Sequence, residues 1–173
     1  MKKTIIASMV SLAAISMFAS YATAATGDVQ FIGAVTATTC ALTPEIAGSS
    51  NPIIQLKDVA TSGAGTAVTF TLKAGSAAGC QSLDNTKTAE ISWMGQFNSE
   101  GLMNQGGSAT GAWVKLTAVN SQTANTDITA ASPSATFGGD VIKTNGAQFS
   151  ATLKGGSVAG DFRSVAAFAV AYK

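Results

Sequence analysis

Short runs of alternating or continuously apolar residues recur along the chain, at residues 29–42, 53–59, 67–74, 89–97, 112–119, 147–153 and 165–172. Alternation with a period of two places one set of side chains on a single face of a strand. Between the runs lie SGAGT (62–66), QGGSATG (105–111), FGGD (137–140) and KGGSVAG (154–160). These stretches read as turns, because glycine reaches backbone conformations that are closed to other residues. Residues 121–135 are rich in Ser, Thr, Ala and Asn and read as a long loop with short strands. Beyond the first two dozen residues no segment keeps a 3.6-residue period for more than a turn or two, and internal repeats are not apparent. Several short strands separated by turn signals predict an all-β sandwich or barrel.

The last run carries the most information. Ala166, Phe168, Val170 and Tyr172 alternate with small residues up to the final Lys173, whereas chain ends are ordinarily frayed and polar. A half-buried strand that runs to the last residue has no following hairpin partner, so something else must cover one of its edges. Near the start, Val29, Phe31, Gly33 and Val35 share one face after the short polar stretch 25–28. The plain reading is a first strand that pairs within its own domain. The same pattern also suits a detachable strand, whose main chain binds an acceptor edge while alternate side chains fill pockets.

The first 24 residues change the compartment. Met1, Lys2 and Lys3 make a basic start, residues 4–22 are apolar and uncharged, and Ala22-Thr23-Ala24 supplies a small-x-small cleavage site. This is the layout of a secretory signal peptide at 1–24. A single membrane anchor is the alternative, but the small-residue end fits cleavage and no cationic stop-transfer run follows. The remaining chain has the size of one domain with one core. The whole chain carries ten basic and nine acidic side chains, and losing Lys2 and Lys3 leaves eight against nine, a net charge of −1. So even a balance argues against nucleic acid or an anionic membrane as partner.

Chemistry is sparse. The two cysteines, Cys40 and Cys80, allow a single intramolecular pairing, and an even count in an exported chain implies a disulfide. Zinc ligation and thiol redox chemistry find no support, since the chain has no histidine and no CxxC. Without histidine there is also no Ser-His-Asp or Cys-His arrangement. The carboxylates are scattered singly, and a spatial pair suited to glycoside hydrolysis is not signalled by their spacing. None of the glycine-rich stretches matches a phosphate loop. The expectation is a protein that is not an enzyme and carries no cofactor or metal.

Three motifs then carry a family resemblance: FxGxVTxxxC from Phe31 to Cys40, the second cysteine Cys80, and the closing G(x)5AxFxVxYK from Gly160. With the signal peptide, they make the chain resemble a pilin of the chaperone–usher pathway over essentially its whole length. The resemblance is to major shaft subunits, nearest the enterotoxigenic kind that bind animal gut epithelium. It implies an incomplete immunoglobulin-like β-sandwich, a six-stranded pilin fold completed by a donor strand from another subunit. On this chain it implies a donor extension at 25–32 with Val29 and Phe31 as plugs, and a pilin domain at 33–173. Gly160, Ala166, Phe168, Val170, Tyr172 and Lys173 would form the chaperone-contact and acceptor surface, with basic chaperone residues holding the carboxylate of Lys173. The stretch before Cys40 is shorter than in many type 1-like pilins. The implied partners are neighbouring subunits, a periplasmic chaperone and an outer-membrane usher, and the implied destination is a fimbrium on the cell surface.

A second reading is a minor or lectin-like adhesive subunit that binds a host glycan directly. Trp93 shares a strand face with Ile91 and Phe97 and reads as core. Trp113 falls on the face opposite Val114, Leu116 and Ala118, beside Lys115 and Thr117. An outward Trp beside a cation suits stacking on a sugar ring and contact with an acidic glycan, so Trp113 and Lys115 are the candidate receptor contacts. Rim or inter-subunit packing is the blander and favoured account of Trp113. A secreted enzyme or inhibitor of immunoglobulin-like fold is the remaining, more distant class.

Overall fold

A computed structural model describes residues 40–173. In chain order the elements are β1 (Leu42–Ile46), β2 (Ser49–Ser50), β3 (Val68–Ala74), α1 (Ala78–Gln81), β4 (Thr88–Gly95) and β5 (Leu102–Met103). There follow β6 (Trp113–Ala118), β7 (Thr126–Ile128), β8 (Ser134–Gly138), α2 (Gly139–Thr144), β9 (Ala147–Lys154) and β10 (Ala166–Tyr172). One antiparallel sheet has the order β2-β1-β3-β9-β6-β5, with β7 also on β6, and the other has the order β10-β4-β8.

Side-chain alternation explains both sheets. In β6, Val114, Leu116 and Ala118 are buried while Trp113, Lys115 and Thr117 face outward. In β4 the buried set is Ala89, Ile91 and Trp93, and in β9 it is Ala147, Phe149 and Ala151. The two buried faces meet in an aromatic cluster. Phe70 on β3 stacks on its register partner Phe149 at 5.6 Å, and Trp93 from the other sheet meets Phe149 edge-on at 5.2 Å. Such edge-to-face pairs contribute about 0.5–1.5 kcal/mol each beyond the area they bury. Trp93 is therefore core, as its strand face predicts.

The disulfide forms between Cys40 and Cys80 with Cα atoms 4.6 Å apart, tying the chain two residues before β1 to α1. The all-β class and most strand positions follow the sequence pattern. Five of the seven predicted runs correspond to β3, β4, β6, β9 and β10; β1, β2, β5, β7 and β8 are additional strands. Of the run at 29–42 only its end is among the described residues, at the start of β1.

Two expectations change. FGGD is not a turn between strands: Phe137 and Gly138 end β8, while Gly139 and Asp140 open α2. A Cβ at Gly139 would stand 2.5 Å from the Asp84 carbonyl oxygen, so only glycine lets the helix start this close to the 84–87 turn. The Asp140 carboxylate suits the positive end of the helix. The run at 53–59 is also not a strand. It joins neither sheet, although Ile54, Leu56 and Val59 turn partly inward.

Candidate functional site

β10 pairs with β4 along its whole length, from Ala166↔Gly95 to Tyr172↔Ala89. The ladder continues one step further, because Lys173 and Thr88 exchange two backbone hydrogen bonds of 2.9 Å. Lys173 also forms an ion pair from its Nζ to the Glu90 carboxylate. That lysine holds the Glu90 carboxyl below the usual carboxylate range, helped by the Ser134 hydroxyl. On the other edge of β10 no described strand pairs. A strand edge without a partner among the described strands is a template for another strand.

An open cavity of about 1020 Å3 lies beside that edge. Its floor is core: Phe70, Trp93, Leu116 and Ala151. Ala166 and Phe168 of β10 form one wall, and the Phe168 ring lies 5.5 Å from that of Trp93. Ile54 and Leu56, from the extended stretch that joins neither sheet, form the other wall. Among the described residues no strand lies between these walls.

The two ends of β10 are held differently. At the far end the Tyr172 hydroxyl donates to the Cys40 carbonyl at 2.8 Å, tying the strand to the disulfide of the opposite sheet. Burial pushes the Tyr172 phenol up to about 12. At the near end, residues 155–165 pack backbone to backbone on the 104–112 loop. Asn104 organises this contact: its Nδ2 donates to the carbonyls of Gly107 and Ala109 at 2.8 and 2.9 Å, and its Oδ1 accepts from the amides of Gly107 and Arg163 at 3.1 and 3.0 Å. Gly160 allows the approach, since a Cβ there would stand 2.8 Å from the Ala109 amide nitrogen and 2.3 Å from the Ser108 hydroxyl.

Of the residues assigned to the acceptor surface, Gly160, Ala166 and Phe168 line the cavity. Val170 is half-buried and Tyr172 buried, and both pack with the core beyond the cavity's end. Val29 and Phe31 lie outside the described residues. Trp113 is half-buried on the outer face of β6, opposite Met103 and Lys154 in the neighbouring strands. Lys115 beside it pairs with Asp127 at 3.0 Å, and Asp127 also accepts from the Thr117 hydroxyl at 2.7 Å. Sequence reasoning missed the Ile54 and Leu56 wall, although their alternation was visible. It also missed Asn104, which carries no signal until the two loops meet.

Two packed antiparallel sheets, with no described strand on the second edge of β10 beside the cavity, define an incomplete immunoglobulin-like fold of the pilin kind. The solved P pilus rod subunit PapA shares this fold, with a TM-score of 0.51 at 16% identity, over 86% of this chain and 100% of that one. No family model matches the chain. The chain is 47% identical over 165 residues to the F107 fimbrial protein of Escherichia coli, an alignment that covers 95% of this chain and 96% of that protein. It is also 37% identical over 112 residues to the K99 fimbrial protein of Escherichia coli, covering 65% of this chain and 60% of that protein. The chain belongs to this family of fimbrial proteins. It is a fimbrial subunit and not an enzyme.

Proposed function

We propose that copies of this chain polymerise by donor-strand exchange. After export and removal of residues 1–24, residues 25–32 of one copy enter the open groove of the next, with Val29 and Phe31 seated against its core. The observation that carries this reading is β10, paired along one edge with β4 and with no described strand on the other, beside a cavity floored by core side chains. Burying a Val or Phe side chain fully is worth roughly 1.5–3 kcal/mol, and each ladder hydrogen bond adds about 0.5–1.5 kcal/mol. Donor and acceptor are different surfaces, so the contact is heterologous and propagates as a filament instead of closing as a dimer.

Before assembly the same edge and core need a cover, which is the task of a periplasmic chaperone strand that the next subunit displaces at the outer-membrane usher. Main-chain pairing with Thr88 and the ion pair to Glu90 hold Lys173 at the end of β10, which would present its carboxylate to basic chaperone residues. Deleting residues 25–32 tests the reading. Cells should then accumulate chaperone-bound subunit and show no fimbriae by electron microscopy; normal fimbriae would remove the donor assignment.

The fimbria's role in this reading is adhesion to host cells. A second reading, direct glycan binding, draws on the outward, half-buried Trp113. Lys115 is engaged by Asp127, so a sugar would meet a neutralised pair instead of a free cation. Glycan-array binding of intact fimbriae should fall with Trp113→Ala if that face binds, and an unchanged profile would leave Trp113 a packing residue.

A further inference from the structure

Among the described residues the exposed large apolar side chains are Ile53, Val158 and Val165, with 64%, 50% and 76% of their surface open. All three line the same cavity. Singly, exposed aliphatic residues need no explanation, but here all of them stand on the border of one groove. A single inserted strand fills the floor, where Phe70, Trp93 and Phe168 lie. It leaves the outward faces of Val158 and Val165 in water.

We propose that Val158 and Val165 form a docking rim for the folded body of the donating copy, beyond the contact made by its strand; this rests on the donor-strand reading above. The occupant follows from the tether and from the shape of the groove. Residues 33–39 join the donor segment to Cys40, the first described residue of the donor's own domain, and seven residues span at most about 25 Å when fully extended. A donor strand in the groove therefore brings its domain close to the groove's border.

The side it comes to is set by the two ends of β10. The Tyr172 end is closed by the hydroxyl bond to Cys40 and the disulfide. The Val165 end is open and carries the two exposed valines. The free tip of the donor heads for the closed end, and its domain-linked end leaves past Val158 and Val165. The rim itself is preset: Gln105 and Gly106 amides donate to the Arg163 carbonyl at 2.8 and 3.1 Å, the Gln105 side-chain amide donates to the Val165 carbonyl at 3.0 Å, and the Ser62 amide donates to the Gly156 carbonyl at 2.9 Å. The segment that carries both valines is thus anchored at the Gly156, Arg163 and Val165 carbonyls.

The test uses the full chain, purified from dissociated fimbriae, as wild type and as the Val158→Ser, Val165→Ser double variant. Two readouts run in parallel: capture of a synthetic peptide of residues 25–35, and assembly of subunits into polymer. The double variant should capture the peptide as wild type does and assemble at least about tenfold more weakly, the effect of leaving one valine's burial unmade. Equal assembly by both proteins overturns the rim while leaving the donor strand intact. A parallel loss of peptide capture also overturns it, because the valines then serve the strand and not the body. Failure of the wild type to capture the peptide overturns the donor reading and the rim with it.

Discussion

Phe168 offers the sharpest perturbation, because its ring is shared between the subunit's own core and the groove. It lies opposite Trp93 in the β10–β4 ladder, with ring centroids 5.5 Å apart, and lines the cavity while only half-buried. Truncating a fully buried Phe to Ala costs about 3–5 kcal/mol. In the free subunit about half of that applies, so Phe168→Ala should cost roughly 2 kcal/mol. In the fimbria the donor strand covers the rest of the ring, and the cost should rise to roughly 4 kcal/mol. The difference of roughly 2 kcal/mol corresponds to about thirtyfold weaker retention of the neighbour's strand. Urea titrations followed by tryptophan fluorescence, on dissociated subunits and on intact fimbriae, measure both terms. Equal losses in the two states would refute the reasoning, since Phe168 would then be served entirely by its own chain.

Reducing the Cys40–Cys80 bond reopens a loop closed at a sequence separation of 40, and the chain-entropy model puts the loss at about 4 kcal/mol; a urea midpoint shift equivalent to less than about 1 kcal/mol with reductant would contradict it. Gly160→Ala forces a methyl group against the Ala109 amide, and should lower unfolding stability by about 1–3 kcal/mol; an unchanged midpoint would mean the two loops separate freely. The Tyr172 phenol has its folded value raised from 10.0 to about 12 by burial. Its contribution is therefore fully present below pH 10 and is lost as pH rises towards 12, by about 2–3 kcal/mol in all. Tyr172→Phe should flatten that alkaline fall in pH-dependent unfolding, and an unaltered slope would assign it to another group.

Much of the fold was legible because strand patterning is local. Val114, Leu116 and Ala118 against Lys115 and Thr117 specify which face of β6 is buried without knowledge of its neighbours. The same holds for β4, β9 and β10. Local signals failed where the outcome depends on a distant partner. Ile54 and Leu56 alternate like a strand, yet their stretch joins neither sheet, because a ladder needs a neighbouring edge and patterning says nothing about whether one is present. Gly139 looked like turn glycine, and only the approach of the Asp84 and Lys87 carbonyls shows that it opens a helix.

The sequence by itself determined the class, the cysteine pair and the half-buried closing strand, since each rests on residue type and spacing along the chain. Only the tertiary structure decided that no described strand pairs with the second edge of β10 beside the cavity, and that Phe168 lines that cavity while Tyr172 locks onto Cys40 instead. Those outcomes depend on how the two sheets pack and on which described edges find partners. That is a property of non-local pairing, in which two residues of the same alternating face are assigned to different surroundings by what happens to stand across from them.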